Sequence, residues 1–146
     1  MMVSDVKTLR FEKVKGTDAQ VKILFSLLSS RKHSISHLKV PNYEDHRNFV
    51  ISNPYRIWFI IFINSEAVGS FYLQNDNSIG LNINCYNSDI IDKILTFINE
   101  KFKPMPSVPS LIPPFFYLNV SYKNSDLRKV LMNRNLIPLQ ISYKLN

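Results

Sequence analysis

Three histidines, one cysteine and a short aromatic and basic stretch are the side chains of this sequence best suited to chemistry. His33, His37 and His46 all fall in one polar connector between two apolar stretches. Imidazole titrates near neutrality, so any of them could take a proton from an attacking group if a cleft opens beside the connector. The plainer reading of each is a surface or supporting histidine. Cys85 follows an apolar run with no histidine at a spacing that would activate it, which favours a small apolar strand residue over a nucleophile. Tyr55, Arg56 and Trp58 open the longest apolar run, where strand-edge packing and ligand contact are equally open readings. No metal site is expected.

Those side chains must be positioned by something, and the stretch from Arg56 to Asn84 is the obvious scaffold. Ile57 to Ile63 is unbroken, β-branched and aromatic, too short to span a membrane and too rich in strand formers to prefer helix. Asn64-Ser65-Glu66 breaks it before Val68–Leu73, and Asn75-Asp76-Asn77-Ser78 breaks the chain again before Ile79–Ile83. Apolar runs separated by short Asn, Asp and Ser tips predict a three-strand antiparallel meander.

The flanking chain supplies the remaining layers. Thr8–Val14 alternates and predicts a first strand. Thr17-Asp18-Ala19-Gln20 fits a capping box before a helix with Val21, Leu24, Phe25 and Leu28 on one face. Asn42 is set to cap a short helix, and Ser88 a longer one carrying Ile91, Ile94, Leu95 and Ile98. Five of the eight prolines fall between Lys103 and Phe116, which predicts a semi-rigid surface loop. Tyr117–Ser121 then reads as a strand parallel to the third meander strand. Asn124 or Ser125 caps a last helix, Asn135 ends it in the left-handed conformation, and Leu136–Leu145 reads as a closing strand.

Composition bounds the function classes. The 146 residues are 45% hydrophobic and 20% charged, with a net charge of +7. That suits one globular domain, residues 1–146, with a real core. The basic residues are scattered, which predicts a solvated surface first, a phosphate-bearing small ligand next, and no nucleic-acid partner. A single cysteine excludes an intramolecular disulfide. No run has signal-peptide or membrane-spanning character, so no membrane partner and a cytoplasmic location are expected.

The predicted order is strand, helix, short helix, three-strand meander, helix, strand, helix, strand. It resembles the GNAT (N-acetyltransferase-like) superfamily across nearly the whole chain. Ala67–Leu73 is similar to that family's strand after the first hairpin. Asn119–Asn124 followed by Leu127–Leu136 is similar to its strand end, last helix and closing turn, with Asn135-Leu136 where the family usually has Gly-Phe. Ser36-His37, Pro41–His46, Pro54–Trp58 and Asn77–Gly80 resemble a subgroup of sugar-modifying acetyltransferases from surface-polysaccharide and nonulosonic-acid pathways.

The resemblance implies an α/β (α+β) fold with a mixed central sheet and helices on both faces. It implies transfer of acetyl from acetyl-CoA to a small amine, such as an amino sugar or its nucleotide derivative; a homodimer is left open. The pantetheine would lie where Leu81–Cys85 and Tyr117–Ser121 part. Asn82, Ile83, Asn84, Cys85, Asn87, Ser88, Asn119 and Asn124 would border it. His37 or His46 would serve as base, with Tyr55, Arg56 and Trp58 toward the acceptor. The sequence departs from the family at the pyrophosphate loop. Cys85–Ile90 holds neither glycine nor a basic residue, and Asp89 and Asp92 put carboxylates where phosphates should sit. Leu131 stands where many members carry a tyrosine. A non-catalytic member that binds a small ligand or a protein partner is the alternative.

Overall fold

Ile57–Ile63, β2 of the chain, is apolar at every position because both faces of the sheet are covered. The computed structural model describes residues 8–30, 41–84 and 86–146, so the expectations placed on His33, His37 and Cys85 fall outside the described residues. The elements are β1 (Leu9–Lys13), α1 (Asp18–Ser29), α2 (Tyr43–Ser52), β2, β3 (Glu66–Leu73), β4 (Ser78–Ile83), α3 (Ser88–Lys101), β5 (Tyr117–Leu118) and α4 (Ser125–Asn133). The sheet order follows the chain, β1-β2-β3-β4-β5, antiparallel up to β4 and parallel between β4 and β5.

Alternation along β2 splits the core in two. Phe59 and Ile61 join Phe71, Leu73, Ile79 and Ile83 beneath Ile91, Ile94, Leu95 and Ile98 of α3 and Leu127 of α4. Trp58, Ile60 and Phe62 pack on Val21, Leu24 and Leu27 of α1 and Val50 of α2. Each such side chain stabilises the fold by about 1.5 to 3 kcal/mol through the apolar area it hides. Leu27 takes the buried place that periodicity gave to Leu28. Among the described residues no helix is long and apolar enough to cross a membrane.

Local chemistry sets the element ends. Thr17 and Gln20 form the expected capping box. Gln20 is itself buried, its Oε1 accepting from the amides of Lys15 and Gly16 and its Nε2 donating to Glu12 and the Lys13 carbonyl. That amide locks the β1–α1 corner. Asn42 caps α2 through the Asp45 amide, and Asn53 ends it at φ 42°. The cap of α3 is Asn87, one residue before the expected Ser88. Asn64, Asn77 and Asn135 hold turns at φ 57°, 71° and 64°, conformations that asparagine tolerates better than other side chains.

Two expectations are corrected. The strand expected over Tyr117–Ser121 pairs only at Tyr117 and Leu118, because β4 and β5 diverge there. The closing strand expected over Leu136–Leu145 is not part of the sheet. Its alternating apolar residues face solvent, since alternation records that one face of a strand wants cover and not what supplies it.

Candidate functional site

The site grows from the point where β4 and β5 meet and then separate. Ser78 pairs with Tyr117 and Ile79 with Leu118, and no pairing follows. A short polar knot fixes this vertex. The Asp76 carboxylate accepts from the amide and hydroxyl of Ser78 at 2.9 and 2.6 Å, and the Tyr117 hydroxyl hydrogen-bonds it as well. Burial pushes the Asp76 carboxyl up, but these donors outweigh it and hold the group below the usual carboxylate range. Burial, and then the Asp76 charge, push the Tyr117 phenol up. Asp76, Ser78 and Tyr117 were not linked to one another in the sequence. An Asn-Asp-Asn-Ser tip signals a turn, and nothing local announces the distant tyrosine.

Beyond the vertex, the backbone of β4 divides its groups between two sides. The Asn84 amide donates to the Val68 carbonyl at 2.9 Å, and the Ser78 carbonyl accepts from Gln74 at 2.9 Å. In an antiparallel ladder this parity turns Ser78, Gly80, Asn82 and Asn84 toward β3. The N–H and C=O groups of Leu81 and Ile83 therefore point to the other side, into the gap left by β5. Among the expected cofactor residues, Ile83 thus presents its backbone to the gap, whereas Asn82 and Asn84 spend theirs on β3. Asn119 is exposed just past the end of β5. Asn124 is buried and caps α4, its Oδ1 accepting from the Leu127 amide.

The start of α3, which follows β4, is closed by its own cap. Asn87 Oδ1 accepts from the amides of Asp89 and Ile90, at 2.8 and 3.3 Å, and the Asn87 carbonyl takes the Ile91 amide. Ser88 is exposed in the first turn. Asp92 pairs with Arg134 at the end of α4, tying the two helices on that face together.

The acceptor-side residues divide between the two faces of the sheet. Tyr55 stacks on Tyr72 with ring centroids 3.7 Å apart, and Trp58 meets Tyr55 edge-on at 5.0 Å. Tyr72 in turn lies over Gly80, where any Cβ would run into its ring. Tyr55 and Trp58 thus share an aromatic cluster that reaches β4 on the α1–α2 face. Trp58 Nε1 is buried there with no hydrogen-bond partner. Arg56 is not brought to them. Its guanidinium donates to the Lys103 carbonyl at 3.0 Å and lies over Phe102, at the end of α3 on the opposite face.

His46 is 5% exposed on α2, tilted against the Phe25 ring, with Nε2 unpartnered. Burial holds its imidazole below the ordinary histidine value, opposed by a hydrogen bond to the Val21 backbone. Unfolding restores the ordinary affinity for protons, so the unfolded chain binds more protons just below pH 6.5. Stability should accordingly fall as the pH drops through that value, until the folded ring protonates too. In His46→Phe this decline should be shallower, a difference read from urea midpoints measured on both proteins between neutral and mildly acidic pH. Equal slopes would remove the ring as the cause.

A shallow open depression lined by Phe11, Thr96, Phe97 and Glu100 lies between β1 and α3, far across the sheet from the β4–β5 gap.

No family model matches the chain, and no curated protein matches it. Solved structures do. A domain from Methanocaldococcus jannaschii superposes with a TM-score of 0.61 at 14% identity, over 89% of this chain and 88% of that one. A structure described as a possible acetyltransferase from Clostridium difficile gives 0.56 at 10% identity, over 97% of each. An aminoglycoside N-acetyltransferase solved in complex with CoA gives 0.61 at 9% identity, over 99% of this chain and 98% of that one. At such identities the likeness is one of fold alone, and that fold is the GNAT-like mixed central sheet expected from the sequence.

Proposed function

We propose that the protein transfers an acetyl group from acetyl-CoA to a small amine. One observation carries this reading: β4 and β5 part just after their vertex, leaving the Leu81 and Ile83 backbone groups free to pair with an extended amide-bearing chain. A pantetheine arm has that shape and that hydrogen-bonding pattern. The bound cofactor would supply the acyl thioester, and the Ile83 N–H, which faces the gap, would polarise its carbonyl as negative charge develops on the oxygen. The aromatic cluster of Tyr55, Trp58 and Tyr72, reaching β4 at Gly80, would seat the acceptor. An amino sugar or its nucleotide derivative is the acceptor class favoured by the segments around His37, Tyr43, Tyr55 and Ile79. His37 and His46 are the proposed bases. His46 is held neutral, as a base must be, but needs the α1–α2 layer to open before an amine can reach it. Arg56, turned toward Lys103, would leave that position for an anionic group only by releasing the end of α3.

The residues fit the pantetheine portion of the cofactor better than its diphosphate. Asn87 already occupies two of the first amides of α3, and Asp89 stands beside them. This favours a second reading, in which the fold keeps the pocket without the chemistry and binds a small ligand or a partner.

Titration of acetyl-CoA into the ¹⁵N-labelled protein separates the two. The proposal expects the Leu81 and Ile83 amides to shift most, with Asn82 and Asn84, whose amides are bonded to β3, moving less. An unperturbed spectrum at millimolar cofactor would sink it and leave the second reading.

A further inference from the structure

The ten residues that follow the turn at Asn135 are the least accounted for in the molecule. Leu139, Ile141, Tyr143 and Leu145 recur at every second position and are 63, 75, 87 and 94% exposed. Gln140, Ser142 and Lys144 fill the alternate places. This is the pattern of a strand with one apolar face. The last backbone hydrogen bond along this part of the chain runs from the Leu136 amide to the Leu131 carbonyl, and among the described residues none involves positions 137–146. Pro138 prevents α4 from continuing and favours extended chain before it.

The same molecule has a sheet edge lacking a strand. Among the described residues β5 is the outermost strand, and only one of its sides is paired. Because the Tyr117 amide donates to the Asn77 carbonyl, alternation turns the N–H and C=O of Leu118 to the open side. Phe116, Leu118 and Val120 beside it are half-buried members of the α3 core. The opposite edge, β1, carries Arg10, Glu12 and Lys13, charges that discourage a further strand. Between Phe116 and Val120 there is no charge at all. A strand that follows a helix ordinarily returns to its sheet beside the preceding strand. Here the returning strand and the open edge are both present and stay apart.

We propose that residues 136–145 of one copy add to the β5 edge of a second copy, and that the exchange is reciprocal. The donor and the acceptor are parts of one sequence, so a two-fold pair satisfies both at once and leaves no open edge on that side. Other large exposed apolar side chains, Leu111, Phe115, Tyr122 and Met132, also lie in this half of the chain. The exchanged strand would extend the wall of the gap beyond the two residues that β5 supplies. The inference rests on the fold alone and stands or falls apart from the proposed activity.

Sedimentation velocity on the whole chain, from about 1 to 200 µM, reads the association directly. A dimer is expected, with the amides of Leu118 and of residues 139–145 protected together from hydrogen exchange. The double variant I141E/Y143K changes two side chains that are exposed in the protomer. Its circular dichroism should match the parent while its dimer weakens at least about tenfold and both protections disappear. A monomer across the whole range overturns the proposal, whether or not residues 139–145 are protected on their own β5. So does a dimer that the double variant leaves intact.

Discussion

Replacing Asn77 by alanine should destabilise the protein by about 3 to 5 kcal/mol, among the largest losses any single polar substitution here could cause. The side chain is 0% exposed and works in three directions. Its Nδ2 donates to the carbonyls of Met105 and Pro113 at 3.0 and 2.8 Å, and its Oδ1 accepts from the Met105 amide at 2.6 Å. Its backbone sits at φ 71° in the turn between β3 and β4. Alanine would leave two carbonyls and one amide of the proline-rich loop without partners, and would strain the turn as well. Asn77→Gly separates the two effects, because glycine keeps the turn and loses only the anchor. It should recover about 1 kcal/mol of the loss. Urea midpoints of both variants give the energies. Limited proteolysis should find new cleavage between residues 103 and 116 in both, and a loop that stays resistant would mean the anchor is not what holds it.

Gly69→Ala should be comparably damaging, at about 3 kcal/mol or more, because the added methyl has nowhere to go. Gly69 faces Ile83 across the β3–β4 ladder beside an irregularity in the β2–β3 register. A Cβ there would overlap the Asn82 carbonyl and come within 2.8 Å of the Ile83 Cα. Both obstacles are backbone, so relief requires the two strands to separate. The displaced residue is the one whose amide faces the gap, so under the proposed function the variant should also weaken acetyl-CoA binding even where it remains folded. A denaturation midpoint equal to the parent's would contradict this account. Gly80 is a gentler case, since the obstacle there is the Tyr72 ring, which can swing away.

Much of this architecture could be read from residue order. The meander was legible because β2, β3 and β4 are apolar runs divided by asparagine-rich tips, and those asparagines do hold left-handed turns. The caps of α1 and α2 were legible because Thr17, Gln20 and Asn42 act within three residues of themselves. What escaped was non-local. Asn77 was read as a turn residue and as part of a subgroup-like segment, but its anchoring role escaped because the groups it holds lie 28 and 36 residues away. Asn87 and Ser88 are both good capping types, and only the fold chose between them. The parting of β4 and β5 was expected from family resemblance. Which backbone groups it frees depended on the pairing register of β3, which no composition reveals. The aromatic cluster was legible as Tyr55 and Trp58, but the stacked Tyr72 was not. Its strand neighbours gave no sign that it would lie over Gly80.

A sheet whose strand order matches its chain order has a simple consequence for the entropy of loop closure. β2, β3 and β4 are joined by tips of a few residues, so each antiparallel pairing in the meander ties up very little chain. β1 must instead pair across everything between Lys13 and Phe59, two helices included. Closure cost grows only logarithmically with length, by about 0.6 kcal/mol per doubling, but it precedes any contact that offsets it. The proline-rich loop has a further dependence: its receptor, Asn77, acquires its position only once the β3–β4 turn has closed. The hairpin that borders the proposed cofactor gap is therefore also the template on which the later third of the chain is laid down.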